Sequence, residues 1–130
     1  MSDSEGSISV EQRGHILLIG LNRPAKYNGY TPTMAKQLVE AFTRLDESNE
    51  LFVGVLFGHG DHFTAGLDLP KWTERMQQES RVAEGAETPV DPMALGRACL
   101  KPIITAVQGI TFTFGIEIAL AGDIVIAADD

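Results

Sequence analysis

The sequence predicts an α/β fold, on three observations. Strand-like and helix-like segments alternate along the chain, the later strand candidates are short unbroken apolar runs of the kind buried in parallel sheets, and no linker, repeat or low-complexity tract divides the chain. With 130 residues, 44% of them hydrophobic, a single domain able to bury a core is expected over residues 1–130.

Residues 1–7 are polar and glycine-containing and read as a flexible tail. Ile8–Gln12 and His15–Leu21 are β-prone runs joined at Arg13-Gly14, which predicts an opening hairpin. Asn22-Arg23-Pro24 breaks the second strand, and Thr31-Pro32 supplies a cap followed by the residue best tolerated in a first helical turn. Met34, Leu38, Ala41, Phe42 and Leu45 then recur at helical spacing on one face, so a helix is predicted to end near Ser48-Asn49. Phe52–Phe57 is a nearly continuous apolar run, expected of a strand buried on both faces, and Gly58-His59-Gly60-Asp61 is a loop.

Lys71–Gln78 is amphipathic, whereas the rest of the stretch from Pro70 to Pro92 is polar and acidic without clear period, and mobility is expected there. A short helix is predicted over Pro92–Leu100, stopped by Lys101-Pro102. Ile103–Gln108 reads as another buried strand and Gly109 as a turn, followed by a short apolar helix at Gly115–Ala121 and a strand at Ile124–Ala128.

Composition excludes several function classes. A formal net charge of -8 argues against broad binding of nucleic acid or anionic membrane, which needs a dense basic surface. No apolar run approaches the roughly 20 residues that cross a bilayer, since Glu117 and Asp123 interrupt the most hydrophobic stretch. The single Cys99 cannot form an internal disulfide, and the first 20 residues lack the pattern of a secretory signal. A soluble, cytoplasmic protein is expected.

Two loops share one design. At Leu56–Leu69 and again at Val107–Ala119, a buried strand leaves through a glycine-containing turn and the chain enters a helix. The first amides of such helices lack internal partners and can serve as donors to a negatively charged oxygen; two aimed at one point make an oxyanion hole. The plainer reading is that Gly66 and Gly115 serve tight turns. Glu117 is likewise open to two readings: a carboxylate desolvated among apolar neighbours, with the raised pKa that suits proton transfer, or a carboxylate on the one solvent-facing stripe of its helix.

The other candidates are weaker. His59 and His62 beside Asp61 have a spacing that could suggest metal ligation, but a polar loop carries such residues for solvation alone, and no metal is expected. Cys99 has no His nearby in sequence and reads as a small buried residue. Gly58-His59-Gly60 lacks the third glycine and helix entry of a dinucleotide fingerprint, so neither nicotinamide nor ATP is supported.

These residues resemble, collinearly and over most of the chain, the enoyl-CoA hydratase/isomerase (crotonase) family. Leu21-Asn22-Arg23-Pro24 with Asn28 is similar to its LNRP…N signature, Asp61–Leu69 to its FxAGxDL segment, Lys101–Gly109 to its KPxxAAVxG strand and Gly115–Asp123 to its GxELALACD helix. Each motif alone is weak; four in order are specific. The resemblance implies a crotonase-like spiral of ββα units, incomplete at the C-terminus. It implies that the amides of Leu67 and Phe114 donate to a thioester oxygen and that Glu117 is a catalytic acid/base. The stretch Leu67, Asp68, Leu69, Pro70 would line the acyl-CoA channel, with Ala25, Lys26, Tyr27 and Ala65 near the coenzyme A moiety.

The implied activity is that of a lyase of fatty acid metabolism, an enoyl-CoA hydratase adding water syn across a 2-enoyl-CoA. No cofactor is implied beyond the coenzyme A of the substrate, and the longer family members form homo-oligomers, trimers or dimers of trimers. Alternatives are an enoyl-CoA isomerase or another enolate-forming reaction of the family, and a non-catalytic acyl-CoA-binding homologue.

The sequence departs from the family pattern in two places. Its glycine triplet reads Thr113-Phe114-Gly115, which places a branched residue and an aromatic ring where side chains are usually lacking and implies that Phe114 narrows or closes the acyl pocket. The chain also stops at Ala127-Ala128-Asp129-Asp130, before the segment that supplies the family's second glutamate, so a piece of a longer protein with uncovered apolar surface is expected.

Overall fold

The computed structural model describes residues 5–78 and 88–129. Its elements are β1 (Ser7–Arg13), β2 (Ile16–Asn22), α1 (Pro32–Glu47), β3 (Val53–Gly58), α2 (Leu69–Gln78), β4 (Ile103–Val107), α3 (Phe114–Ala121) and β5 (Ile124–Ala127), with a 3-10 turn at Pro24–Lys26. The five strands form one sheet in chain order; β1 is antiparallel to β2, and each later pair is parallel. This is a mixed α/β sheet with helical crossovers, as the alternation of segments predicts. Among the described residues no helix is long and apolar enough to cross a membrane.

The core forms where α1 lies on β2 and β3. Thr31 caps α1, its hydroxyl accepting from the Met34 amide at 3.2 Å, and Pro32 opens the first turn. The stripe Met34, Leu38, Ala41, Phe42 and Leu45 is buried, joined by Leu17, Ile19 and Leu21 of β2 and Leu56 of β3. Gly54 lies directly under the helix: a Cβ there would stand 2.6 Å from a Leu45 methyl. A larger residue at that point of the strand would require the Leu45 side chain to move.

Three expectations change. First, β3 is not buried on both faces; Gly54, Leu56 and Gly58 are buried and alternate with half-buried Val53, Val55 and Phe57, because a helix covers one face only. Phe52 precedes the strand, exposed, with its ring stacked on His15 at 4.0 Å. Second, Ser7 already belongs to β1, and Glu5 is tied down: its carbonyl accepts from the Thr31 hydroxyl at 2.6 Å and its carboxylate pairs with Lys71 at 2.7 Å. The rest of the tail, residues 1–4, lies outside the described residues, as do 79–87 of the acidic stretch.

Third, residues 92–100 form turns and bends, not a helix. The Asp91 carboxylate accepts from the amides of Met93, Leu95 and Gly96 at 3.0–3.1 Å, and Ala94 has φ +57°. Such side-chain bonds offer the backbone an alternative to the helical ladder, and a left-handed residue ends one. The expected uncovered apolar surface lies at the β4–α3–β5 end: Leu120 is 72% exposed, and Ile124, Val125 and Ile126 are exposed along β5.

Candidate active site

The site is assembled from the loops that leave β2, β3 and β4. Amide-to-carbonyl bonds lay them side by side: Phe63 to Gln108 at 2.8 Å, Thr64 to Ile110 at 3.1 Å and Phe112 to Thr64 at 3.1 Å. On the other side, Ala65 donates to Tyr27, Tyr30 to Gly66 and Asp68 to Tyr30, at 2.8–2.9 Å. Segments 27–30, 64–68 and 110–112 thus form a three-ply layer.

Asn28 fastens this layer. Fully buried, at φ +53°, it accepts from the Arg23 amide at 2.7 Å and donates to the carbonyls of His59, His62 and Phe63 at 2.8–3.1 Å. Arg23, also buried, donates to the Gly29 carbonyl at 3.0 Å and to the Asp68 carboxylate at 2.7 Å. Asp68 in turn receives the Lys71 amide at the start of α2. The Arg23 hydrogen bond holds the Asp68 carboxyl below the usual carboxylate range, against a smaller upward push from burial.

Among the described residues the Leu67 and Phe114 amides have no hydrogen-bond partner. The residues just before them touch, since a Cβ on Gly66 would lie 2.6 Å from the Thr113 hydroxyl. Gly66 has φ +105°, which turns the chain so that its carbonyl meets Tyr30 while the next amide stays unengaged. Thr113 reaches φ +42° without glycine, a strained state for a β-branched residue. That conformation accounts for a glycine at this place in the motif the chain resembles.

Leu67, Phe114 and Glu117 line one cavity of about 310 Å³, together with Tyr30, Trp72, Met93 and Thr113. The ring of Phe114 is stacked on Tyr30 at 4.0 Å, 16° from parallel, and leaves the cavity open. Burial pushes the Tyr30 hydroxyl well above the ordinary tyrosine range, with the Asp91 charge adding to it. Glu117 is exposed, on the face of α3 shared with Ile116 and Leu120. Here the desolvated reading fails, because the apolar neighbours expected to exclude water are themselves uncovered.

The other sequence candidates lie around this cavity, not on it. Ala25 and Lys26 sit in the exposed 3-10 turn, and Tyr27, exposed, meets His62 edge to face at 5.1 Å. Ala65 joins them through its bond to Tyr27, whereas Leu69 and Pro70 open α2 and Asp68 is engaged by Arg23. His59 and His62 face different partners: the Ser9 hydroxyl at 2.7 Å from one, the Ile110 amide donating to the other at 2.9 Å. Burial pushes the Cys99 thiol up, which does not suit a nucleophile. Sequence reasoning missed Tyr30, Trp72 and Met93, which reach the cavity from separate segments with no shared spacing to betray them.

An apolar cavity with two unengaged amides and one carboxylate can polarise a carbonyl and handle a proton beside it. The family described as enoyl-CoA hydratase/isomerase matches residues 11–130. Over 122 residues, covering 92% of this chain and 46% of the relative, the chain is 35% identical to the enoyl-CoA hydratase EchA19 of Mycobacterium tuberculosis. It is 33% identical over 126 residues to a protein of Arabidopsis thaliana named "Probable enoyl-CoA hydratase 1, peroxisomal", covering 96% of this chain and 46% of that one. The crystal structure of enoyl-CoA hydratase EchA1 from Mycobacterium marinum superposes with a TM-score of 0.76 at 39% identity, over 95% of this chain and 46% of that chain. The chain therefore spans about half the length of the relatives it matches.

Proposed function

The chain belongs to the enoyl-CoA hydratase/isomerase family, and from that premise we propose that its cavity is an acyl-CoA thioester site whose simplest reaction is the hydration of a 2-enoyl-CoA. The observation that carries this reading is that Leu67, Phe114 and Glu117 line one apolar cavity, the first two with backbone amides that have no partner among the described residues. The thioester oxygen accepts from both amides, which stabilises the negative charge that develops as the β-carbon is attacked. Glu117 takes a proton from the attacking water as the water oxygen bonds to the β-carbon and the C=C π pair shifts toward the thioester to form the enolate. The enolate then collapses as Glu117 delivers that same proton to the α-carbon, which completes addition of one water. Loss of one donor of this kind raises a barrier by about 2.7–4 kcal/mol.

Ala25, Lys26, Tyr27 and Ala65 are proposed to lie near the coenzyme A moiety, and Leu67, Asp68, Leu69 and Pro70 to line the acyl-CoA channel. A homo-oligomeric, cytoplasmic protein of fatty acid metabolism, with no cofactor beyond substrate coenzyme A, completes the proposal on the strength of the family alone. The test sets turnover of crotonyl-CoA beside an acyl-CoA binding titration. Glu117→Gln is expected to leave binding nearly intact and remove most turnover, and equal activity in that variant rejects the assignment. One observation favours a second reading, a non-catalytic acyl-CoA-binding homologue: Thr113 and Phe114 stand where the family motif has glycines. Tight binding of crotonyl-CoA with no turnover by the unaltered chain would decide for it.

A further inference from the structure

Within the thioester site just proposed, the acyl cavity carries its own chemical signature. One wall is aromatic: Phe114 lies flat against Tyr30, whose ring centre is 6.1 Å from that of Trp72. The Trp72 indole N–H is already committed to the Tyr30 carbonyl at 2.8 Å, so this aromatic wall offers no free indole donor. Met93 is a further wall, adaptable and apolar. No Lys, Arg or His lines the cavity among the described residues. Among the described residues Glu117 is the charged group on the lining, and Asp91 lies close enough for its charge to act on Tyr30.

Two consequences follow for an acyl group. A carboxylate at its far end would enter apolar surroundings with no cation to pair it among the described lining residues and with the Glu117 carboxylate on the same lining, which disfavours binding. A flat, π-bearing group can stack or meet ring edges, worth about 2- to 12-fold in affinity beyond its buried area. At about 310 Å³ the cavity sits near the lower bound of roughly 300–1,000 Å³ for small-molecule pockets, so a ring or short chain suits it. We propose that the site selects uncharged acyl groups that stay flat beyond the β-carbon, aryl-substituted or conjugated enoyl thioesters, and that Phe114 held against Tyr30 is the selecting element.

The experiment is an equilibrium titration of the 130-residue chain with free coenzyme A, cinnamoyl-CoA, 2-octenoyl-CoA and 2-hexenedioyl-CoA, repeated with Phe114→Leu. The chain should bind cinnamoyl-CoA several-fold more tightly than 2-octenoyl-CoA and at least about 10-fold more tightly than 2-hexenedioyl-CoA. In Phe114→Leu, checked for native circular dichroism, the cinnamoyl preference should fall toward unity while rejection of the diacid persists. Equal binding of cinnamoyl-CoA and the diacid by the unaltered chain, or an unchanged cinnamoyl preference in a folded variant, overturns the selectivity and leaves the thioester site standing. Thioesters that bind no better than free coenzyme A overturn both. If the variant fails to fold, the ranking by the unaltered chain decides alone.

Discussion

Residues 16–58 and residues 103–127 are both strand, helix, strand, and the helix of the second is the more apolar, yet the first supplies most of the core while much of the second is uncovered. In β2, Leu17, Ile19 and Leu21 are shut off from solvent by α1, whereas in β5 every residue is exposed and α3 leaves Ile116 and Leu120 uncovered. Side-chain chemistry sets how much a segment gains from burial; only a neighbouring element can supply it. The contrast reaches the chemistry, because Glu117 stands in the uncovered region while the loops that hold the Leu67 amide are rooted in the covered one.

The sharpest way to break this comparison is truncation of one leucine in each region. Leu38→Ala removes a fully buried side chain and should cost about 2–5 kcal/mol. Leu120→Ala removes one that is already wet and should stay within about 0.5 kcal/mol. Urea denaturation measures both; similar losses would mean that α3 is covered in solution.

A smaller loss is expected at the joint between the two loops. Asp68→Asn withdraws the charge facing Arg23, whose side chain is 4% exposed, and should cost about 1–3 kcal/mol. Acid should do the same to the unaltered chain. The Asp46 carboxyl is held low first by the Leu100 amide and then by Arg97, and that of Asp68 first by Arg23. Both folded values lie below the unfolded one of about 3.9. Their stabilisation is therefore present above about pH 4 and lost as pH falls through the folded values. Denaturation midpoints from pH 6 to pH 3 should decline less steeply in Asp68→Asn than in the unaltered chain; parallel curves would contradict the ion pair.

A small effect of opposite sign is expected at Thr113. Glycine there removes the strain of φ +42° but adds backbone entropy to the unfolded chain, for a net gain below about 1 kcal/mol. A loss of stability would show that the Thr113 side chain contributes more by packing against Gly66 than its backbone costs.

Much of this was legible beforehand. The stripe from Met34 to Leu45 is the buried face of α1, and Leu67, Phe114 and Glu117, drawn from two loops far apart in the chain, line one cavity. What escaped was whatever depends on contacts between segments. The helix expected over Pro92–Leu100 gives way to turns gathered around the Asp91 carboxylate, a competition between backbone and side chain that hydrophobic spacing does not register. The stack of Phe114 on Tyr30 joins positions 84 residues apart with no common motif.

By itself, then, the sequence determined the succession of strands and helices, the capped start of α1 and the glycine-bearing loops, because period, cap and turn chemistry act between residues a few places apart. Only the tertiary structure decided that the Gly66 and Thr113 turns touch, that the Leu67 and Phe114 amides have no partner among the described residues, and that Glu117 faces water. Those depend on which surfaces meet, and distance along the chain does not encode the meeting of surfaces.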